Sequence, residues 1–215
     1  MNKILNITNG ETLKNHFLKK HNIESIAFNE AMMSYDTINN IFSDEFIEFR
    51  SKQLNVNKDL YFSKLKEIIS LKDNSNQYQE INLYFGLDTF CQINLLTMLA
   101  FLEQINYQND IYLNIVDDYS NEILEKNIKI NLNGYINLYN EILINKNKKN
   151  DLKVINKQAI DLYFDYLSED GKLALLVKEN NDKSNEELLI LLLINSKDYG
   201  LSDLQAKDLI IKYKK

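Results

Sequence analysis

The spacing of apolar and polar residues divides the chain into two parts. Lys3 to Thr8 reads as a short buried strand stopped by Asn9-Gly10, and a helix follows to about Lys20 with Leu13, Phe17 and Leu18 on one stripe. Ser25 to Phe28 reads as a second strand ending at Asn29-Glu30. Ser43 is a good N-cap, with Asp44 and Glu45 in the first turn of a helix that carries Phe46, Phe49 and Arg50. Another helix runs from about Lys58 to Leu71. Ile81 to Phe85 is an apolar strand closed by Gly86-Leu87-Asp88, and Thr89 with Gln92 has the form of a capping box. The helix behind it is apolar around most of its circumference, which predicts burial. Ile111 to Val116 is a further strand, ending at Asp117-Asp118. In Asn127 to Leu132 the apolar residues alternate with polar ones, as on a half-exposed edge strand.

Strands alternating with helices predict an α/β fold: a Rossmann-like, mainly parallel sheet with flanking helices over residues 1–133. From Gly134 the period turns helical, with helices near 135–145, 156–168, 171–180, 185–197 and 203–213, so residues 134–215 read as a helical C-terminal domain. Ser184 with Glu187 and Ser202 with Gln205 match capping boxes, and Gly171 and Gly200 stand where helices should end. The stretch Lys146 to Lys153 reads as a loop inside the helical part.

Composition narrows the function classes. Hydrophobic residues make up 45% of the 215 and charged residues 26%, the balance of a globular protein. The longest apolar run, Leu188 to Ile194, is far below the roughly 20 residues a membrane helix needs, and no secretory signal pattern opens the chain. Cys91 is the single cysteine, so a cytoplasmic location is expected. The net charge of -6 argues against nucleic acid as the main partner. The local basic clusters, Lys146, Lys148 and Lys149 and the terminal Lys212, Lys214 and Lys215, read as solvated loops and ends. Helices 185–197 and 203–213 have helix-turn-helix proportions, with Gln205 and Lys207 as the residues able to contact DNA, or they close a bundle.

In open parallel sheets ligands bind outside the carboxyl ends of the strands, where the strand order reverses. Gly10 and Gly86 follow two of the strands expected there. The groups at that edge are Asn9, Gly10, Glu11, Asn29, Glu30, Gly86, Asp88, Asp117 and Asp118, which read equally well as turn formers. Five carboxylates without a lysine repel a bare polyphosphate, at about 1 kcal/mol for each unit pair near 4 Å in water. The edge therefore suits a hydroxyl-bearing or cationic ligand, or a phosphate bridged by a divalent metal. Neither G-x-G-x-x-G nor G-K-[ST] is present. Arg50 is the single arginine among 25 lysines and arginines, and reads either as a tie to Glu30 or Asp36 or as a ligand group. Cys91 reads as a buried small hydrophobe, with a first-turn thiolate as the alternative. His16 and His21 both fall in or after the first helix, so neither a Cys-His pair nor a two-histidine zinc site is expected.

Four segments, Asn6 to Gly10, Phe28 to Met32, Phe46 to Arg50 and above all Tyr84 to Leu96 (YFGLDTFCQINLL), resemble the domain-of-unknown-function family numbered 1835. The resemblance covers about the first 120 residues. Members usually carry Asp after the first glycine, where this chain has Glu11. The resemblance implies a bacterial α/β domain with a site at the same edge, and supplies no activity.

The expectation is a ligand-binding or regulatory module, its ligand held by Asn9, Gly10, Asn29, Glu30, Arg50, Gly86, Asp88 and Gln92. A metal ligand set and a cofactor are left unassigned. The alternatives are a metal-dependent enzyme acting through carboxylates on a nucleotide-like substrate, and a DNA-binding regulator using the C-terminal helices.

Overall fold

The computed structural model describes residues 3–214. The strands are β1 (Ile4–Thr8), β2 (Ile26–Ala27), β3 (Glu80–Phe85), β4 (Asp110–Val116) and β5 (Ile123–Ile130). They form one sheet in the order β2-β1-β3-β4-β5, parallel except for β5, which runs antiparallel to β4. The expected α/β class is thus present. Strand order reverses at β1, which pairs with β2 on one side and β3 on the other.

The reversal puts helices on opposite faces of the sheet, as right-handed crossovers require. On one face α1 (Glu11–His21) sets Leu13 and Phe17 against Tyr84 and Val116. The other face presents Leu5, Ile7, Ile81, Leu83, Phe85, Ile111 and Leu113 to the main core. Between β2 and β3 run α2 (Asp44–Gln53), α3 (Lys58–Ile69) and the single turn α4 (Leu71–Asn74). Next comes α5 (Thr89–Gln104), buried along nearly its whole length as its sequence predicts. It lies between the sheet and α6 (Tyr135–Tyr139) and α7 (Lys157–Leu167). Then come α8 (Lys172–Glu179), α9 (Asn185–Asn195) and α10 (Asp203–Tyr213). One contiguous apolar cluster runs from Leu5 to Tyr213 through these layers.

Several expected boundaries move for identifiable reasons. β5 begins at Ile123, ahead of the expected Asn127, because Asn127 takes φ 60° and donates its backbone N–H to Oδ1 of Asn114. That irregularity breaks the alternation, so the residues before it fall out of period with Ile128 and Ile130. The capping box expected of Thr89 and Gln92 does not form. Asp88 caps α5 instead, accepting from the backbone N–H of Cys91, which frees Thr89 and Gln92 for other partners. Gly171 starts α8 where a helix end was expected; a β-carbon there would collide with the carbonyl of Asp165. Gly200 does end a turn, at φ 65°. The boxes at Ser184–Glu187 and Ser202–Gln205 are both complete.

Candidate functional site

The residues expected to form one ligand set divide into three groups. Glu30 and Arg50 form a wholly buried ion pair, with 2.7 Å between Nη2 and Oε1. Arg50 also donates to the carbonyls of Ser34, Asp36 and Ala31. The other Glu30 oxygen accepts from the Tyr61 hydroxyl, which burial and the neighbouring carboxylate hold protonated. Arg50 therefore ties the loop after β2 to α2, with Asp36 contributing its carbonyl and not its carboxylate. Neither member of the pair faces open space.

The second group bridges the point where strand order reverses. The Asn9 amide donates to Sγ of Cys91 (2.9 Å), while Asn94, fully buried on α5, donates to Oδ1 of Asn9 (2.9 Å) and to the carbonyl of Glu30 (2.7 Å). Asn94 also accepts from the N–H of Met32. Gly10 stands at φ 91° before α1, and Asn29 donates to Glu11 and to the Lys64 carbonyl. Side chains of the protein itself thus span the crevice between β1 and β3. Asn94 was missed in the sequence, although an asparagine inside so apolar a helix is a visible signal.

The third group is open. The ends of β3 and β4 and the helical half enclose a cleft of about 180 Å³, lined by Leu87, Asp88, Asp118, Asn156, Ala159 and Asp198, with Tyr119 and Lys197 at its mouth. Asp118 turns its carboxylate inward, accepting the backbone N–H groups of Leu87 and Asp88 at 3.1 Å each. Burial, reinforced by the charge of Asp118, raises the Asp88 pKa to about 6. Burial likewise raises Asp118, and pushes the Cys91 thiol well above its ordinary value, so that it stays protonated and donates to Asp118. The ligand atoms of Asp88, Cys91 and Asp118 lie within 4.8 Å of one another, a mixed oxygen and sulfur set not foreseen from the sequence. Asp117, by contrast, caps its own turn by accepting from Tyr119 and Ser120.

Two of the chain's five glycines make room for these carboxylates. A β-carbon on Gly86 would strike Oδ1 of Asp118, and one on Gly200 would strike the Asp88 carboxylate. Gln92 joins the two sides of the cleft: its amide donates to the Gly86 carbonyl (2.6 Å) and its oxygen accepts from the Asn156 N–H (2.8 Å). The Thr89 hydroxyl is within 3.2 Å of the carbonyls of both Ala159 and Asp198.

The basic clusters are largely engaged. Lys146 pairs with Asp36, Lys148 with Asp161 and Lys149 with Glu141, while Lys214 is bonded to the Lys183 carbonyl and to Asn185. Lys215 lies outside the described residues. Gln205 is buried in its capping box and not offered to a partner, and α10 exposes Leu204 and Ile211 beside Lys207. Among the described residues no helix is long and apolar enough to cross a membrane.

Fold and cleft together define an α/β protein with a mostly parallel sheet and a paired-carboxylate cleft at the C-terminal ends of its strands. No protein-family model, curated protein or solved structure matches the chain.

Proposed function

We propose that the chain is a ligand-binding module, cytoplasmic and akin to the family numbered 1835, whose cleft takes a small cationic or hydroxyl-bearing molecule. The observation that carries this reading is the Asp88–Asp118 pair. Burial raises both carboxylates and the charge of Asp118 raises Asp88 further, so their ionisation opposes folding, while the missing β-carbons of Gly86 and Gly200 leave room for them. Perturbed acids of this kind, in a cleft, are characteristic of sites selected for something other than stability. With Asp88 near pH 6, its ionised form pairs a cation and its protonated form donates to a hydroxyl oxygen. Asp198 adds a third carboxylate, and at the mouth the Tyr119 ring carries the chain's own Lys197 ammonium, 5.8 Å from its centroid, a cation that a ligand would have to displace or approach from the other face. The nucleic-acid reading draws little support from paired lysines and an α10 that exposes isoleucine and leucine.

One observation favours metal-dependent catalysis as a second reading, namely the closeness of Asp88, Cys91 and Asp118. A sulfur donor selects zinc or a neighbouring transition ion over magnesium. The two readings separate in a thermal-shift panel of amines, polyols, nucleosides and Zn²⁺, Mn²⁺ and Mg²⁺, run on the native protein and on Asp118→Asn. A ligand at 100 times its dissociation constant adds about 2.7 kcal/mol, a rise of about 5–10 °C for a domain of this size. An organic compound that stabilises only the native protein supports the first reading, and a Zn²⁺ shift lost in Asp118→Asn supports the second. Equal shifts in both proteins would place the ligand elsewhere and defeat both.

A further inference from the structure

The helical hairpin formed by α9 and α10 carries an apolar surface that the other described residues do not cover. Residues Leu188 to Ile194 are seven consecutive aliphatic residues, so α9 is apolar all the way around, the composition of a helix enclosed on every side. Yet only Leu188 and Leu192 are buried. Ile190 and Ile194, four residues apart on one face, are 60% and 61% exposed. Leu204 and Ile211, two turns apart on α10, are 57% and 80% exposed. Between the helices runs a groove of about 440 Å³ lined by Leu189, Ile210 and Ile211, with Glu186 and Lys207 at its edge.

Size and charge select the occupant. At roughly 200 Å² for a fully exposed large aliphatic residue, those four side chains present on the order of 500 Å², near the upper end of patches on monomeric proteins. One side of a standard interface buries about 800 Å², of which roughly two thirds is apolar in homodimers. The patch therefore supplies about the apolar share that a dimer of this chain needs. Its charges are self-complementary as well. Glu186 stands on α9 and Lys207 on α10, and neither has an ion-pair partner among the described residues. A two-fold axis across the hairpin brings residue i of one copy to residue j of the other and back again, so each copy's Glu186 meets the other's Lys207. A partner of one charge sign satisfies only one of the two groups; a second copy satisfies both.

We propose that this hairpin is a homodimer interface, the α9–α10 pairs of two copies meeting as a four-helix layer. The inference does not rest on the cleft, to which this part of the chain contributes Lys197 and Asp198 from the turn between the two helices and no residue of the apolar patch.

The test is sedimentation equilibrium of the full chain over a concentration series, with Ile211→Lys, Glu186→Lys, Lys207→Glu and the Glu186→Lys/Lys207→Glu double variant. All three positions are exposed, so far-UV circular dichroism and thermal midpoints should stay close to those of the native protein. The native protein should dimerise, Ile211→Lys should weaken the dimer by about 30-fold or more, as expected for a central contact worth 2 kcal/mol, and each single reversal should weaken it too. The double variant should recover association, which a general effect of surface charge would not produce. A native protein that stays monomeric overturns the proposal, as does a dimer indifferent to Ile211→Lys. Sedimentation of a monomer with anionic vesicles would assign the patch to lipid and also overturn it.

Discussion

Replacing Asp88 with asparagine removes a charge while keeping the shape of the first turn of α5. Asparagine is as good an N-cap as aspartate, so the bond to the Cys91 N–H is retained. What disappears is the cost of ionising a carboxyl group beside Asp118 in a partly dry cleft. The folded-state pKa of about 6 stands above the ordinary 3.8, a shift of about two units, and at 1.36 kcal/mol per unit the full cost is about 3 kcal/mol. Water reaches part of the group, and a neutral amide interacts less well than a carboxylate with the helix dipole. The net stabilisation expected at neutral pH is therefore about 1–2 kcal/mol. Between roughly pH 4 and 6 the folded protein keeps a proton that the unfolded chain has released, so this group makes native stability fall as pH rises through that window. Below the window the penalty vanishes. Urea unfolding of both proteins at several pH values from about 4.5 to 7.5 should show Asp88→Asn gaining on the native protein as pH rises, then levelling off. A difference independent of pH, or a variant less stable at neutral pH, would refute the electrostatic argument.

Other predictions address the remaining groups. Arg50→Lys should cost about 3–5 kcal/mol in chemical denaturation, because one ammonium cannot replace a fork that serves Glu30 and three carbonyls, and the carboxylate is left buried; a loss under 1 kcal/mol would mean that the loop re-forms around lysine. Gly86→Ala should displace Asp118 from the backbone N–H groups of Leu87 and Asp88, lowering the thermal midpoint and abolishing any cleft ligand's shift together; an intact ligand shift would count against the close approach. Asn94→Leu should destabilise by about 2–4 kcal/mol, since it strands the Met32 N–H and the Glu30 carbonyl, and hydrogen exchange at Met32 should quicken. A cation bound in the cleft competes with the Asp88 proton, so its affinity should fall about tenfold per pH unit below 6 and level off above, as titration calorimetry would show.

The elements were legible where their signals are local. Seven aliphatic or aromatic residues between Ile93 and Leu102 leave α5 no polar side, and burial follows from that alone. Ser184 and Ser202 have alternative caps beside them, Asn185 and Asp203, but Glu187 and Gln205 close each box from three residues on, so their boxes form as written. Thr89 had a competitor: Asp88, one residue earlier, is an equally good cap, and the choice turns on carbonyls arriving from Ala159 and Asp198. The site was half visible for the same reason. Glycines and acids at strand ends mark the edge, but which of them face outward depends on partners distant in sequence. Glu30 is drawn inward by Arg50 and Tyr61, twenty and thirty-one residues away. Asn156 and Asp198 reach the cleft from the helical half, and no spacing rule connects them to β3 and β4.

The polar ties at the start of α5 bear on how a ligand would come and go. Thr89 and Gln92 join that single turn to Ala159, Asp198, Gly86 and Asn156, so floor and roof of the cleft are bonded to the same piece of helix. Opening the cleft by swinging the two sides apart would break several buried hydrogen bonds at once. The walls are accordingly set before any ligand arrives, and little ordering remains to oppose its entry. Such a receptor admits only what already fits. Its association should be a single step, with an observed rate that climbs linearly with ligand concentration and never reaches the plateau of a protein that must first rearrange.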